Sequence, residues 1–380
     1  MEQSKATQRL VDQFIAMVKI SSPSRQEGAF AAYLRKELED LGFSVDIDAA
    51  GVKAGANTGN LIATIQGNRD IEPLMFCCHM DTVLPCSNIQ PQITDGVIHS
   101  NGKTILGGDD KAGIAAVFEG LRRIQERGLT HGLLQVVFTI CEEVGMHGAK
   151  GLDYRKVKAT RVFVLDAEGP LGEIAVQGPA KDAIKVLIHG RTAHAGLYPE
   201  RGVNAIQVAA RAIDRMKLLR IDPVTTANIG TISGGIATNI VTAQVEVTAE
   251  ARSLVNEKLD AQSTHMKECF EQAARELGAV VEVDIQRSYS AFKLTDSDPV
   301  VRQCMDAMQS LGLTPKLVST GGGSDCNIFN ALGLTAVDLS VGMTDVHTNQ
   351  ESIKIADLET AACLIEAIIE RSPGYPRTHD

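Results

Sequence analysis

No apolar stretch in this 380-residue chain reaches the ~18–20 residues that a membrane-spanning helix needs. No signal peptide is expected either. Met1-Glu-Gln-Ser-Lys5 leads into an amphipathic pattern (Leu10, Val11, Phe14, Met17, Val18) broken by acids and bases. There is no basic excess, since 37 Lys and Arg face 47 Asp and Glu, for a net charge of −10. That balance argues against nucleic acid or an anionic membrane as a partner. The acids are scattered rather than gathered into a tail, so some are candidate ligands whose charge a bound cation would offset. The eight cysteines form no CxxC pair, and several lie in apolar runs where free Cys behaves as a small hydrophobe. Reduced thiols and a cytoplasmic location are the expectation. No G-x-G-x-x-G follows an early strand, which disfavours a dehydrogenase. No internal repeat or low-complexity segment interrupts the chain.

A chain of this length exceeds one typical core, so two domains are expected. With 44% apolar and 22% charged residues, its composition is that of an ordinary globular protein. Helices are predicted over 6–19, 27–41 and 111–127, and apolar strands over 60–65, 73–78, 133–140 and 162–165. Strands that alternate with helices and read as continuous apolar runs indicate a mainly parallel, covered sheet. Near Gly178 the character changes. A strand at 183–190, a helix at 202–219, alternating Thr/Val/Ile segments at 225–233 and 240–252, a helix at 256–277 and a strand at 280–285 follow. That order predicts a small antiparallel sheet with helices on one face. Helices at 297–311, 325–332 and 356–370 and a strand at 335–340 then return to the first pattern. The expected fold is α/β: a three-layer catalytic domain (1–177 and 293–380) interrupted by an inserted α+β lid or dimerisation domain (178–292).

The buried strand at 73–78 ends in two metal-capable side chains, His79 and Asp81, which share a face because i and i+2 point the same way on a strand. Four more such places follow: Asp109/Asp110 at a helix start, Glu142/Glu143 after strand 133–140, Asp166/Glu168 after strand 162–165, and Asp345/His347 after strand 335–340. Any one pair is more simply a solvated acid or a salt-bridged histidine. Sites in open α/β sheets form outside the carboxyl ends of the strands, where all five would converge. Two histidines with several carboxylates make a nitrogen and oxygen donor set suited to zinc, manganese or cobalt.

His79-Met-Asp-Thr-Val83, Gly107-Gly-Asp-Asp-Lys-Ala-Gly113, Cys141-Glu-Glu-Val-Gly145, Leu165-Asp166 and Val346-His347 occur in the order and spacing of a known family. Across nearly its whole length the chain resembles the di-zinc metallopeptidases that include peptidase T, carboxypeptidase G and succinyl-diaminopimelate desuccinylase. The stretch Leu106–Ile114 and the segment from Thr314 to Asp325 are most similar to peptidase T. The resemblance implies two divalent metal ions, zinc foremost and cobalt or manganese as alternatives. Asp109 would bridge them, His79 and Asp166 would complete one site, and Glu143 and His347 the other. Asp81 would orient His79, Asp110 would stand behind the ligands, and Glu142 would be the general base that activates water and protonates the leaving amine.

In the inserted domain, His194 matches a histidine that stabilises the tetrahedral oxyanion, often in the neighbouring subunit. Ala195 stands where the family commonly has Pro. Asn239 and Arg252 match positions that hold a substrate's terminal carboxylate, for which a guanidinium fork is suited. The Gly-rich turn, with Gly322 and Gly323, would present backbone N–H groups to an anion. The implied activity is an aminopeptidase or tripeptidase acting on short peptides, in a homodimer formed through the inserted domain. Within the wider clan Asp at the position of Asp166 accompanies aminopeptidases, although Glu168 is an alternative ligand. A carboxypeptidase or N-acyl amino acid amidohydrolase is the second reading, and a non-catalytic peptide-binding protein a remote third.

Overall fold

The computed structural model describes residues 4–374. The chain divides into two compact units, one comprising Met1–Val176, Lys293–Ser319 and Ser324–Asp380, the other Gln177–Phe292 with Thr320–Gly323. The tetrapeptide 320–323 therefore lies with the smaller unit, not with the catalytic domain in which the sequence boundary at 293 had put it. Thr320 is held there by a backbone bond from its N–H to the Gln177 carbonyl.

The larger unit is built on a mixed sheet. From one edge its first seven strands run Ser44–Ile47, Leu61–Ile65, Leu134–Thr139, Leu74–His79, Arg161–Ala167, Thr335–Ser340 and Glu173–Gly178, and the last of these also pairs with the short strands Phe292–Lys293 and Lys316–Ser319. The central four are mutually parallel, and the outer pairings are antiparallel. Every residue of Leu74–His79 and of Leu134–Thr139 is buried, as expected of strands covered on both faces. One covering helix, Gly108–Glu126, is buried nearly all round and packs against the strongly apolar helix Ile355–Glu370. Gly120 permits that approach, since a Cβ there would lie 2.6 Å from the Ile365 Cβ. The Phe76, Phe118, Phe138 and Phe163 rings fill the same core.

Parallel register sets the strand ends level. His79 pairs with Thr139, Cys77 with Val164, and Ala167 with Ser340. The carboxyl ends that carry His79, Glu142/Glu143, Asp166 and the loop to His347 thus open on one edge. Elements missed in the sequence are short and include a hairpin of Gln92–Thr94 with Val97–His99, the helices Ala50–Ala54 and His147–Gly151, and the strands Glu173–Gly178, Leu219–Asp222, Lys316–Ser319 and Ser352–Lys354.

The smaller unit is a five-stranded antiparallel sheet in the order Leu219–Asp222, Thr225–Gly234, Gln244–Ser253, Ala180–His189, Val280–Tyr289. Burial alternates along Ala180–His189 and Gln244–Ser253. Their inward residues Ile184, Val186, Ile188, Val245 and Val247 form one core with Val208, Ala212, Leu259, Met266 and Phe270 of the helices Ala205–Asp214 and Asn256–Leu277. The first of these helices is shorter than predicted. Asn204 caps it by accepting from the Ile206 N–H, and the chain beyond Arg215 turns into an edge strand.

Candidate metal centre

Asp109 stands at the start of the helix Gly108–Glu126, at φ −80° and ψ 107°, outside helical geometry. Its two carboxylate oxygens face different histidines. Oδ1 lies 2.9 Å from His79 Nε2, which is 3.2 Å from Asp166 Oδ1. Oδ2 lies 3.0 Å from His347 Nε2, which is 2.9 Å from Glu143 Oε1. In each set of three, one ligand atom per residue falls within 4.8 Å of the others. Tetrahedral ligands at zinc bond lengths of ~2.0–2.1 Å are about 3.3 Å apart, so each trio fits around one cation with Asp109 shared.

Electrostatics favours the same occupant. Burial pulls the His79 imidazole down, but the carboxylates of Asp166 and Asp109 outweigh it and hold the ring's pKa well above the histidine range. His347, bonded to Asp109 and Glu143, is pushed up to about 10. Burial lifts the Asp166 carboxyl well above the usual carboxylate range, and burial with the nearby Asp166 charge does the same to Glu142. Acids crowded where water is scarce require positive charge, and divalent cations held by N and O donors would supply it.

Behind the two trios lies a set of carboxylates that grip the backbone. Asp110 accepts from the His79 N–H at 3.2 Å, and Asp338 from the Asp166 N–H at 3.0 Å. Glu351 accepts from the Asp109 N–H at 2.9 Å, and Glu168 from the Asp345 N–H at 2.9 Å. Asp81 takes the Glu142 and Glu143 N–H groups at 2.9 and 3.2 Å, with the Ser24 hydroxyl at 2.6 Å. Each ligand-bearing segment is thereby fixed by a side-chain carboxyl oxygen that accepts from its backbone.

Two expectations change here. The His79 Nδ1–H is donated to the main-chain oxygen of Asp81 at 2.8 Å, while the Asp81 carboxylate is 3.7 Å away. That carboxylate is spent on the Glu142–Glu143 backbone, so it orients those two acids rather than the His79 ring. Glu168, the alternative ligand, is engaged with the His347 loop and belongs to neither trio. Glu351 and Asp338 escaped the sequence reading. Asp338 had a usable signal, a lone acid inside the apolar run Thr335-Ala-Val-Asp-Leu339, whereas Glu351 sits in a polar stretch that gives none.

His194, Asn239, Arg252, Gly322 and Gly323 all belong to the smaller unit. The loops of His194 and Asn239 are paired there, the Ala195 N–H donating to the Asn239 carbonyl at 3.0 Å. His194 Nδ1 accepts from the N–H groups of Gly196 and Leu197 at 3.2 and 3.1 Å. A neutral ring so held carries its proton on Nε2. Arg252 binds Glu250 at 2.9 Å and reaches the Gly321 carbonyl at 3.3 Å. At Gly323 a Cβ would meet the Tyr289 ring at 2.4 Å, so the turn needs glycine there.

Two family models match the chain, a peptidase family M28 model over residues 60–195 and a peptidase dimerisation domain over 178–277. The structure is similar to that of an aminopeptidase PepT from Bacillus cereus, with TM-score 0.89 and 43% identity, covering 96% of this chain and 98% of that one. A tripeptidase from Staphylococcus aureus gives TM-score 0.92 and 40% identity at the same coverage. An uncharacterised Bacillus subtilis protein, YqjE, is 41% identical over 96% of this chain and 98% of its own length. With relatives this similar over nearly their full lengths, the chain belongs to the peptidase T-like family of metallopeptidases.

Proposed function

We propose that the protein is a metal-dependent exopeptidase that releases the N-terminal residue of tripeptides and other short peptides. One observation carries the reading: the two oxygens of Asp109 are divided between His79 with Asp166 and His347 with Glu143. Those five residues would hold two divalent cations, zinc foremost. When bound, such cations supply Lewis acidity toward a peptide carbonyl and lower the pKa of water to ~7. The similarity to an aminopeptidase PepT and a tripeptidase favours this substrate class, and so does Asp rather than Glu at position 166.

The chain's own residues supply the proton traffic and the positioning. Glu142 is 9% exposed, its backbone is fixed by Asp81, and burial raises its pKa. A carboxylate so tuned accepts a proton from the attacking water and returns it to the leaving amine near neutral pH. The Nε2–H of His194 is a donor for the oxyanion that develops on the carbonyl. Arg252, with Asn239 and the Gly322–Gly323 turn, would receive the peptide's C-terminal carboxylate. The dimerisation-domain match supports a homodimer through the smaller unit. Eight free cysteines support a cytoplasmic location, and no described helix is long and apolar enough to cross a membrane.

Glu142→Gln should lower kcat by ~10²–10⁴-fold while two metal ions per chain remain. A variant that keeps most of its activity would remove Glu142 from the mechanism. A mixed library of di-, tri- and acyl-peptides read by mass spectrometry tests the substrate class. Release of C-terminal residues or acyl groups in place of N-terminal residues would overturn it.

A further inference from the structure

The loop between Thr344 and Ser352 carries His347, and it is tied to the segment Gly102–Asp109 at two points. Asn349 donates from Nδ2 to the Gly102 carbonyl at 2.9 Å. Glu351 does more. It is 1% exposed, and its Oε2 accepts from the N–H groups of Leu106 and Gly107, each at 2.8 Å. Its Oε1 accepts from the Asp109 N–H at 2.9 Å. Gly108 leaves room for this grip, since a Cβ there would lie 3.1 Å from Oε1. Within the loop, Thr348 bonds to the Asp345 carbonyl and to the Gln350 N–H, and the Glu351 N–H returns to the Thr348 carbonyl. His347 itself sits at φ 64°, left-handed backbone that a non-glycine residue keeps only when its surroundings impose it.

Two of the three side chains in the Asp109–Glu143–His347 trio are thus carried on segments that Glu351 joins. Only Asp109 of the His79–Asp109–Asp166 trio is. We infer that Glu351 is a positioning residue that sets the spacing of Asp109 and His347 and thereby governs cation affinity at the Asp109–Glu143–His347 site selectively. The inference rests on the metal assignment proposed above. An amide could not replace the carboxylate. Gln offers one acceptor oxygen, and its NH₂ would face either the Asp109 N–H or those of Leu106 and Gly107, donor against donor.

Cobalt titration of metal-free protein, followed by visible absorbance, tests this with wild type, Glu351→Gln and a His347→Ala reference that marks the spectrum of the first site alone. Wild type should take up two equivalents. Glu351→Gln should bind the second equivalent ~10–100-fold more weakly and the first within about twofold of wild type. Equal weakening of both equivalents, or unchanged constants with only a lower melting temperature, would overturn the inference by reducing Glu351 to a fold-stabilising residue. Wild type that takes up fewer than two equivalents would overturn the metal assignment and the inference with it. Should Glu351→Gln not fold, Glu351→Asp, which keeps the charge but loses reach, must show the same asymmetry; equal constants there refute the idea.

Discussion

Asp81→Asn isolates what a buried carboxylate does at this centre. The Asp81 side chain is fully buried and receives three donors, Glu142 N–H at 2.9 Å on Oδ1, Glu143 N–H at 3.2 Å on Oδ2, and Ser24 Oγ–H at 2.6 Å on Oδ2. Asparagine has nearly the same shape but one acceptor and an NH₂ group. Turned one way it keeps Glu142 and sets its NH₂ against the Glu143 N–H; turned the other way it keeps Glu143 and loses Glu142. Either orientation leaves one buried backbone N–H without a partner, a cost of about 1–3 kcal/mol. Urea unfolding of the metal-free variant should show that loss. The shift also misplaces Glu142 or Glu143, so kcat should fall ~10–100-fold with KM little changed. Zinc titration separates this role from support of the His79 ring, whose Nδ1–H bonds to the Asp81 main-chain oxygen and is untouched by the substitution. The site holding Glu143 should weaken while the site holding His79 stays near wild type. If the His79 site weakens most, or stability and kcat are both unchanged, the backbone-clamp reasoning is wrong.

Two glycines in one helix should behave differently. At Gly113 a Cβ would lie 2.3 Å from Asp110 Oδ1 and 2.7 Å from the Leu165 carbonyl. Gly113→Ala should therefore cost ~1–3 kcal/mol and also loosen the His79 site, because Asp110 holds the His79 N–H. The nearest atoms to a Cβ at Gly120 are those of Ile365 and the Ala362 carbonyl, so Gly120→Ala should lose stability by a similar amount while the metal affinity of the folded protein is unchanged. Denaturant midpoints alongside zinc titrations check both, and equal effects on metal would refute the distinction. Arg252→Ala should raise KM for peptides with a free C-terminal carboxylate and leave C-terminally amidated peptides unaffected. Steady-state kinetics on matched peptide pairs decide it, and an equal rise for both would end the carboxylate-binding role.

What the sequence disclosed follows from where the physics is local. The strand Leu74–His79 is legible because a parallel, covered strand must be apolar throughout, and its end because His79 and Asp81 interrupt that run. The helix that follows Asp109 is legible from its buried face of Ala115, Phe118, Leu121 and Ile124. The hairpin Gln92–Thr94 with Val97–His99 was not, since three-residue strands are too short to show a period. The edge strand Leu219–Asp222 is not legible either: the predicted helix runs to 219, and Leu, Arg, Ile and Asp are too few residues to show a period. At the site, side chains that meet a cation announce themselves by residue type and position after a strand. Those that hold backbone, such as Glu351, do so across 242 positions of sequence, and no local pattern records that pairing. The duty of Asp81 was misread for the same reason: its spacing to His79 was visible, its bonds to residues 142 and 143 were not.

The central claim is that one carboxylate, Asp109, serves two cation sites at once. Metal content per chain after zinc reconstitution and dialysis tests it most directly, in wild type and in His79→Ala, His347→Ala and Asp109→Ala. Wild type should hold two ions, each histidine variant one, and Asp109→Ala fewer than one. An Asp109→Ala protein that retains two ions, or a wild type that holds only one, would contradict the account.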